Sequence, residues 1–288
     1  MLKRQLLILQ TMTTINLKIN KEAFDLAVPA AREPKGHIFG QLQDKIDTAL
    51  QSLATFKLGD VGTTAVNNDL QGSLAKALLA YASVEVFLSE MHNLDVVLTS
   101  TGFGVVSTND LAPASKIRVD ALDGELRVKR LCLEDEIREL LFRVKDWYQQ
   151  GIVVFDTLFC QFKFLRQFAG YQAPISKDWE LAMPVILETD RWLRDKISDE
   201  FMDEMISQMA TDNLSDKNKG IVHQVRRIIG VAVQGNKGVM YEYYRRLMNT
   251  LESDLDSFQT YANSKAFETN HFKPYENKRD AGAFHFVG

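Results

Sequence analysis

The sequence predicts a mainly α-helical protein with two related helical-bundle units, one inserted β-hairpin and an extended C-terminal arm. Long stretches with apolar residues at helical spacing indicate the bundles. A glycine-containing segment between two β-branched runs indicates the hairpin, and an aromatic C-terminal segment without a helical period indicates the arm. The predicted parts are an N-terminal unit over residues 1–172 with the hairpin near 95–109, a C-terminal unit over 173–263, and the arm over 264–288.

In the N-terminal unit, apolar residues at helical spacing predict a helix over residues 37–56. Gly59, Gly62 and two asparagines predict a loop over 57–68. Residues 69–92 are apolar on most sides, which is typical of a buried helix. The elements that follow the hairpin are a helix from about Pro113, a second helix that carries Leu133 to Tyr148 and ends at Gly151, and an aromatic connection over 152–176.

In the C-terminal unit, helical spacing predicts helices over residues 185–210, 216–234 and 238–263. The segment Phe24–Ala31 aligns with Trp179–Ile186, and a similar order of helices follows each segment. This likeness predicts a duplicated three-helix unit, with the hairpin inserted in the first copy only.

The hairpin and the arm are the predicted contact surfaces. Glycine tolerates positive φ, so Gly102-Phe103-Gly104 predicts a tight reversal after the strand-like run from Val96. A third glycine of the dinucleotide-binding motif is missing, and the segment lies between strands, which excludes a phosphate cradle. In the arm, Phe284 and Phe286 alternate as an added strand requires, and Tyr275 is a further aromatic anchor. The arm docks either on a neighbouring molecule or on its own fold.

The composition of the chain limits the classes of function that it could have. The chain has 288 residues, 45% hydrophobic and 25% charged, enough for a sizeable core. A net charge of -4 argues against a dedicated nucleic-acid binder. Cys132 and Cys160 form no CxxC pair, which favours a reducing compartment. No apolar run approaches the ~20 residues that cross a bilayer, so no membrane contact is expected.

No catalytic, cofactor-binding or metal-ligating residue is predicted, and the chain is not expected to be an enzyme. The histidines have no His or Cys at ligand spacing. Acidic residues over 199–204 could hold a divalent ion, but a solvated helix face is the simpler interpretation. Arg226-Arg227 and Arg245-Arg246 are either phosphate contacts or polar faces of amphipathic helices. Nucleic-acid binding through these two pairs is therefore the alternative function.

Residues 94–107, 111–119 and the closing Tyr275-Glu276-Asn277 resemble uncharacterised phage and prophage structural proteins of Bacteroides-type bacteria. Members of that family are similar to the head-to-tail adaptor, or connector, proteins of long-tailed phages. The resemblance implies a virion neck protein, made in the bacterial cytoplasm, without catalysis or cofactor. It implies a homo-oligomeric ring, commonly of twelve copies, between the portal protein and the tail or stopper proteins. DNA would pass through this channel without specific binding.

The physical features of the sequence fit that expectation. A ring needs heterologous contacts, in which one patch of a subunit meets a different patch of the next. A projecting hairpin and an extended arm supply such contacts. The mild net charge also suits a DNA channel, because a dense basic lining binds phosphate tightly. The predicted interface residues are Gly102, Phe103, Gly104, Tyr275, Phe284 and Phe286.

Overall fold

The computed structural model describes residues 14–32, 37–94, 96–99, 102–105, 116–147 and 157–272, and this part of the chain is mainly α-helical, as predicted. The first helices are α1 (Lys21–Ala27), α2 (His37–Leu53), α3 (Gly59–Asn68), α4 (Ser73–Leu94) and α5 (Lys116–Phe142). The later ones are α6 (Phe164–Phe168), α7 (Ser176–Lys196), α8 (Asp199–Ala210), α9 (Asp216–Val233), α10 (Lys237–Glu252), α11 (Gln259–Ala262) and α12 (Lys265–Asn270).

Helix α4 is the central element of the first group and packs against α1, α2 and α5. Its apolar side chains are buried on several sides, including Leu78, Ala82 and Val84, so the prediction of a buried helix is confirmed. The extended segment ahead of α1 buries every second residue, Ile15, Leu17 and Ile19, against the same core. This alternation is what a strand-like segment with one buried face requires.

The loop predicted over residues 57–68 is wrong. The chain forms a π-helical turn over Ala54–Leu58 and then continues as α3. Gly59 breaks the helix locally with a φ of 62°, a conformation that favours glycine. Gly62 has another role, because a Cβ there would lie 3.2 Å from Cδ1 of the buried Trp147. The glycines therefore mark a bend and a close packing contact inside a helical segment.

The helix boundaries after residue 115 also differ from the prediction. The two helices expected from about Pro113 and Leu133 are one 27-residue helix, α5, which ends at Phe142 rather than near Gly151. The single helix expected over 185–210 is two helices, α7 and α8. Ser198 caps α8, its hydroxyl oxygen accepting a hydrogen bond from the backbone N–H of Phe201 at 3.2 Å.

Helix α9 is central to the second group and packs against α6, α7 and α10. Its bounds agree closely with the predicted 216–234. The last predicted helix, 238–263, ends early as α10, and α11 follows after a turn. The extended conformation expected from residue 264 is wrong for 265–270, because Ser264 caps α12 and the Tyr261 and Phe267 rings pack at 5.3 Å. Residues 273–288 of the predicted arm lie outside the described part of the chain.

Two short strands follow α4, β1 (Val96–Thr99) and β2 (Gly102–Val105), and they pair antiparallel. The register places Val97 opposite Gly104 and Thr99 opposite Gly102. Gly102 and Gly104 are thus paired strand residues, so the tight reversal predicted at these glycines is wrong. The wider element predicted near 95–109 includes residues outside the described part, and its insertion as a projecting hairpin stays a prediction.

The connection between the two groups of helices is aromatic and packed. Phe159, Phe162 and Phe164 are buried, and the Phe159 and Phe164 rings meet edge to face at 5.5 Å. The aligned segments Phe24–Ala31 and Trp179–Ile186 differ in conformation: the first leaves α1 for a 3-10 turn at Pro29, whereas the second lies within α7. The duplication of a three-helix unit and the unit boundaries stay predictions.

Among the described residues, no single helix is long and apolar enough to cross a membrane. One bent pair, residues 37–68 with 73–91, meets the length and composition test together, with an angle of 114° between its halves.

Candidate functional site

The structure places three of the six predicted interface residues. Gly102, Phe103 and Gly104 lie on β2, where Phe103 pairs with Leu98 of β1. Tyr275, Phe284 and Phe286 lie outside the described residues. No described contact joins the two predicted surfaces, so their role in assembly stays a prediction.

Large apolar side chains are exposed beside both predicted contact segments. Ile117, in the first turn of α5, is 81% exposed and follows the segment that contains the paired strands. Phe272, which directly precedes residues 273–288, is 75% exposed. Single exposed apolar residues are common on soluble proteins. Their position, shortly after the predicted hairpin and within the predicted arm, is the feature relevant to function.

The acidic residues of α8 are used for helix capping and ion pairing. Asp203 lies 2.7 Å and Asp199 3.3 Å from Nη1 of Arg194, whose Nε also contacts the buried Asp190 at 2.9 Å. Glu200 accepts a hydrogen bond from the Ser198 hydroxyl. In the described ranges, no group of three His, Cys, Asp or Glu side chains is arranged to hold a metal ion. The structure therefore gives the divalent-ion interpretation no donor set.

One arginine of each pair lies against the Tyr243 ring, whereas Arg226 does not join this surface. Arg227 points outward and stacks on the Tyr243 ring at 4.4 Å, while Arg246 lies 5.6 Å from the same ring and pairs with Glu242. Arg226 points inward instead, since its guanidinium lies 4.1 Å from the Phe164 ring. Successive helical residues are about 100° apart, so adjacent arginines could not share a face. That spacing is the sequence signal that separates Arg226 from Arg227.

Arg226 lines a cleft between the end of α5, the aromatic connection and the end of α8. One cavity there has a volume of about 330 Å³, and a second of about 340 Å³ shares Phe142, Arg143 and Asp212 with it. The remaining walls of the first cavity are Glu139, Gln161, Lys163, Phe164, Gln167, Met209 and Leu214. Apolar, charged and amide side chains thus line one recess.

The charges of the cleft are unevenly matched. Lys163 pairs with Glu139, which lowers the pKa of that carboxyl below its usual range against the effect of burial. Arg226 has no carboxylate partner in the described part of the chain: its Nε donates to the Leu158 carbonyl at 3.0 Å and its Nη2 to the Met209 sulfur at 2.9 Å. Burial lowers the pKa of this guanidinium. This arrangement was not among the features predicted from the sequence.

Asp135 of α5 holds the backbone that forms the floor of the cleft. Its Oδ1 accepts from the Phe162 N–H at 3.0 Å, and its Oδ2 accepts from the Lys163 N–H at 2.9 Å. Arg138 donates to the Cys160 carbonyl of the same segment. Burial raises the pKa of Asp135 to about 6, despite these hydrogen bonds. Helix α5 thereby fixes the residues that place Phe164 under Arg226.

A second, wider recess lies along α10 and has a volume of about 520 Å³. Its walls include Arg245, Glu252 and His271. The His271 ring stacks on Phe267 at 4.0 Å, and its Nε2 lies 3.5 Å from Glu252. This recess therefore adjoins the last described residues, from which the predicted arm continues.

Comparison with known proteins gives one match. A family of unknown function, DUF6712, matches residues 60–150, which include α4, the paired strands and α5. No curated protein and no solved structure matches the chain. The similarity covers the region in which sequence analysis places the hairpin, but the family description carries no activity.

Proposed function

We propose that this chain is a structural protein of a phage virion, a head-to-tail adaptor that forms a ring between the portal and the tail around the DNA channel. The segment around β1 and β2 forms one intersubunit contact, through Gly102, Phe103 and Gly104. The arm forms the second contact, through Tyr275, Phe284 and Phe286. The chain performs no catalysis in this role.

The observation that carries the proposal is the exposure of large apolar side chains after the predicted hairpin and within the predicted arm. Ile117, eight residues after the hairpin, is 81% exposed, and Phe272, in the arm just before residues 273–288, is 75% exposed. Burial of such side chains in an intersubunit contact removes apolar surface from water, which stabilises association. The described parts of the chain supply packed helices to which such segments attach. The finer architecture, with duplicated units, an inserted hairpin and an extended arm, belongs to the same proposal.

The assembly test is Phe103→Ala, with Phe56→Ala as the matched control. Phe56 is 74% exposed in the π-helical turn and lies outside both contact segments. We expect rings of the wild type and of Phe56→Ala by electron microscopy, and mostly monomers of Phe103→Ala with unchanged far-UV circular dichroism. Normal rings of Phe103→Ala would overturn the assigned contact.

Adaptor rings commonly assemble on the portal, so the same variants are also measured with the purified portal protein by native mass spectrometry. We expect one ring per portal for the wild type, and loss of that complex in the double variant Phe284→Ala/Phe286→Ala. An intact complex of that variant would show that the arm is not the second contact.

Nucleic-acid binding is the alternative, and the cluster of Arg227, Tyr243 and Arg246 is the observation that favours it. An aromatic ring between guanidinium groups can stack on bases while the cations contact phosphate. Because Arg226 points inward, only Arg227 of the first arginine pair is available at this surface. Retention on DNA that falls steeply with salt, and is lost in Arg227→Ser, would support this alternative. Salt-independent or absent retention would exclude it.

A further inference from the structure

We propose that the cleft between α5, the aromatic connection and α8 binds an acidic peptide segment of a partner protein, with Arg226 as the group that receives its carboxylate. This site is separate from the proposed ring contacts. Its test does not depend on the adaptor proposal.

Arg226 is a cation of the cleft that has no ion pair among the described residues. An arginine withdrawn from water is costly unless a counter-charge and hydrogen-bond acceptors compensate it. Arg226 has one carbonyl acceptor and one thioether acceptor, and a thioether is a weak acceptor. No ion pair of this residue occurs among the described residues: Glu139 acts on Arg226 electrostatically, but this carboxylate is already ion-paired with Lys163. An incoming carboxylate would supply the missing charge.

Contacts hold the Arg226 guanidinium in one orientation. Stacking on Phe164 at 4.1 Å and the hydrogen bond to the Leu158 carbonyl hold the group in one position. A guanidinium held this way loses little further freedom when it binds, and its planar donors match the two oxygens of a carboxylate. Arg143 lines both cavities of the cleft and also has no ion pair in the described ranges, so it can contact the same ligand.

The mixture of charges in the cleft favours one class of ligand. The first cavity carries three cationic side chains, Arg143, Lys163 and Arg226, and two carboxylates, Glu139 and Asp212. The carboxylates disfavour a phosphate backbone, which brings repeated negative charge. A peptide with one acidic residue between apolar residues fits better. Its apolar neighbours can contact Phe142, Met209 and Leu214, which line the same walls.

The binding test uses two peptides, acetyl-Leu-Glu-Leu-amide and acetyl-Leu-Gln-Leu-amide, which differ in the carboxylate alone. The reporter is the methyl group of Met209, observed by NMR in the full chain with ¹³C-methyl methionine. Met202 and Met205 of α8 are buried and serve as internal controls for an intact fold. We expect the Glu peptide to shift the Met209 signal saturably below about 20 mM, and the Gln peptide to bind at least about tenfold more weakly.

Variants assign the binding to the arginine. Arg226→Gln should weaken the Glu peptide at least about tenfold, whereas the outward Arg227→Gln should leave its affinity unchanged. If Arg226→Gln alters the Met202 or Met205 signals, Arg143→Gln takes its place, because Arg143 is exposed and its loss should still weaken the Glu peptide. Equal binding of the two peptides, no shift of Met209, or an equal response to inorganic phosphate would each overturn the proposal.

Discussion

Gly230 of α9 makes the closest backbone approach that the structure describes at a glycine, and Gly230→Ala tests the packing argument directly. An ideal Cβ at this position would lie 2.4 Å from the carbonyl oxygen of Phe168 and 2.7 Å from the Phe168 Cβ. Ordinary van der Waals contact begins at 3.4 Å. The neighbouring atom is backbone, so the end of α6 must recede by about 1 Å rather than a side chain rotate.

Such overpacking costs about 1–3 kcal/mol of unfolding free energy. The matched control is Gly220→Ala on the same helix, where a Cβ would have no neighbour within 4 Å. Alanine is favoured over glycine in a helix interior by about 1 kcal/mol, so this variant should be stabilised. Because Gly220 and Gly230 both lie in the interior of α9, this gain applies to both variants and cancels. We therefore expect the two variants to differ by the overpacking cost of about 1–3 kcal/mol, with Gly230→Ala the less stable.

The assay is urea denaturation followed by far-UV circular dichroism, with the slope of each transition checked before midpoints are compared. A Gly230→Ala protein as stable as Gly220→Ala would refute the close approach of α9 to α6. It would also weaken the geometry of the cleft, because α6 carries Phe164, on which Arg226 stacks.

Three further predictions concern single groups. Burial raises the pKa of Asp135 to about 6, so between pH 4 and 6 the folded chain holds a proton that the unfolded chain has released. The unfolding free energy of the wild type relative to Asp135→Asn should therefore fall by at most about 3 kcal/mol from pH 4 to 7 in urea titrations. A rise over this range would contradict the raised pKa. Ser198→Ala should lose about 1 kcal/mol by thermal denaturation, since the cap on Phe201 N–H is removed, and an unchanged midpoint would argue against the cap. Trp147→Phe should cost about 1–3 kcal/mol in urea, because the buried Leu58 carbonyl loses the 2.9 Å hydrogen bond from the indole; a smaller loss would mean that water replaces it.

Helix interiors were predictable where one face is apolar and the other polar. The 3.6-residue spacing of Ile221, Val225 and Ile228 identifies α9 nearly to its bounds, and all three side chains are fully buried. Boundaries were less predictable. Gly59 and Gly62 indicated a loop. In the structure Gly59 bends a helical segment, and Gly62 leaves space for the side chain of Trp147, which is 85 residues later in the chain.

The candidate cleft was not predictable from the sequence. Helical spacing separates Arg226 from Arg227, but only the packing of α9 against α6 and α7 places Arg226 beside Phe164 in a cleft. The partners of Arg226 are Leu158 and Met209, which are distant in the chain and carry no motif. Among the described residues no carboxylate pairs with Arg226, because the acceptors that the fold brings within reach of it are a carbonyl oxygen and a thioether sulfur.

The sequence is enough to establish that this protein is mainly helical, because the period of apolar residues sets which backbone conformation can bury one continuous face. It also indicated the two segments proposed to contact neighbours, through glycine freedom and aromatic content. The tertiary structure alone decided that α5 is one helix, that α7 and α8 are separate, and that Arg226 lies in a cleft. These outcomes depend on contacts between residues far apart in the chain, and such contacts leave no local pattern.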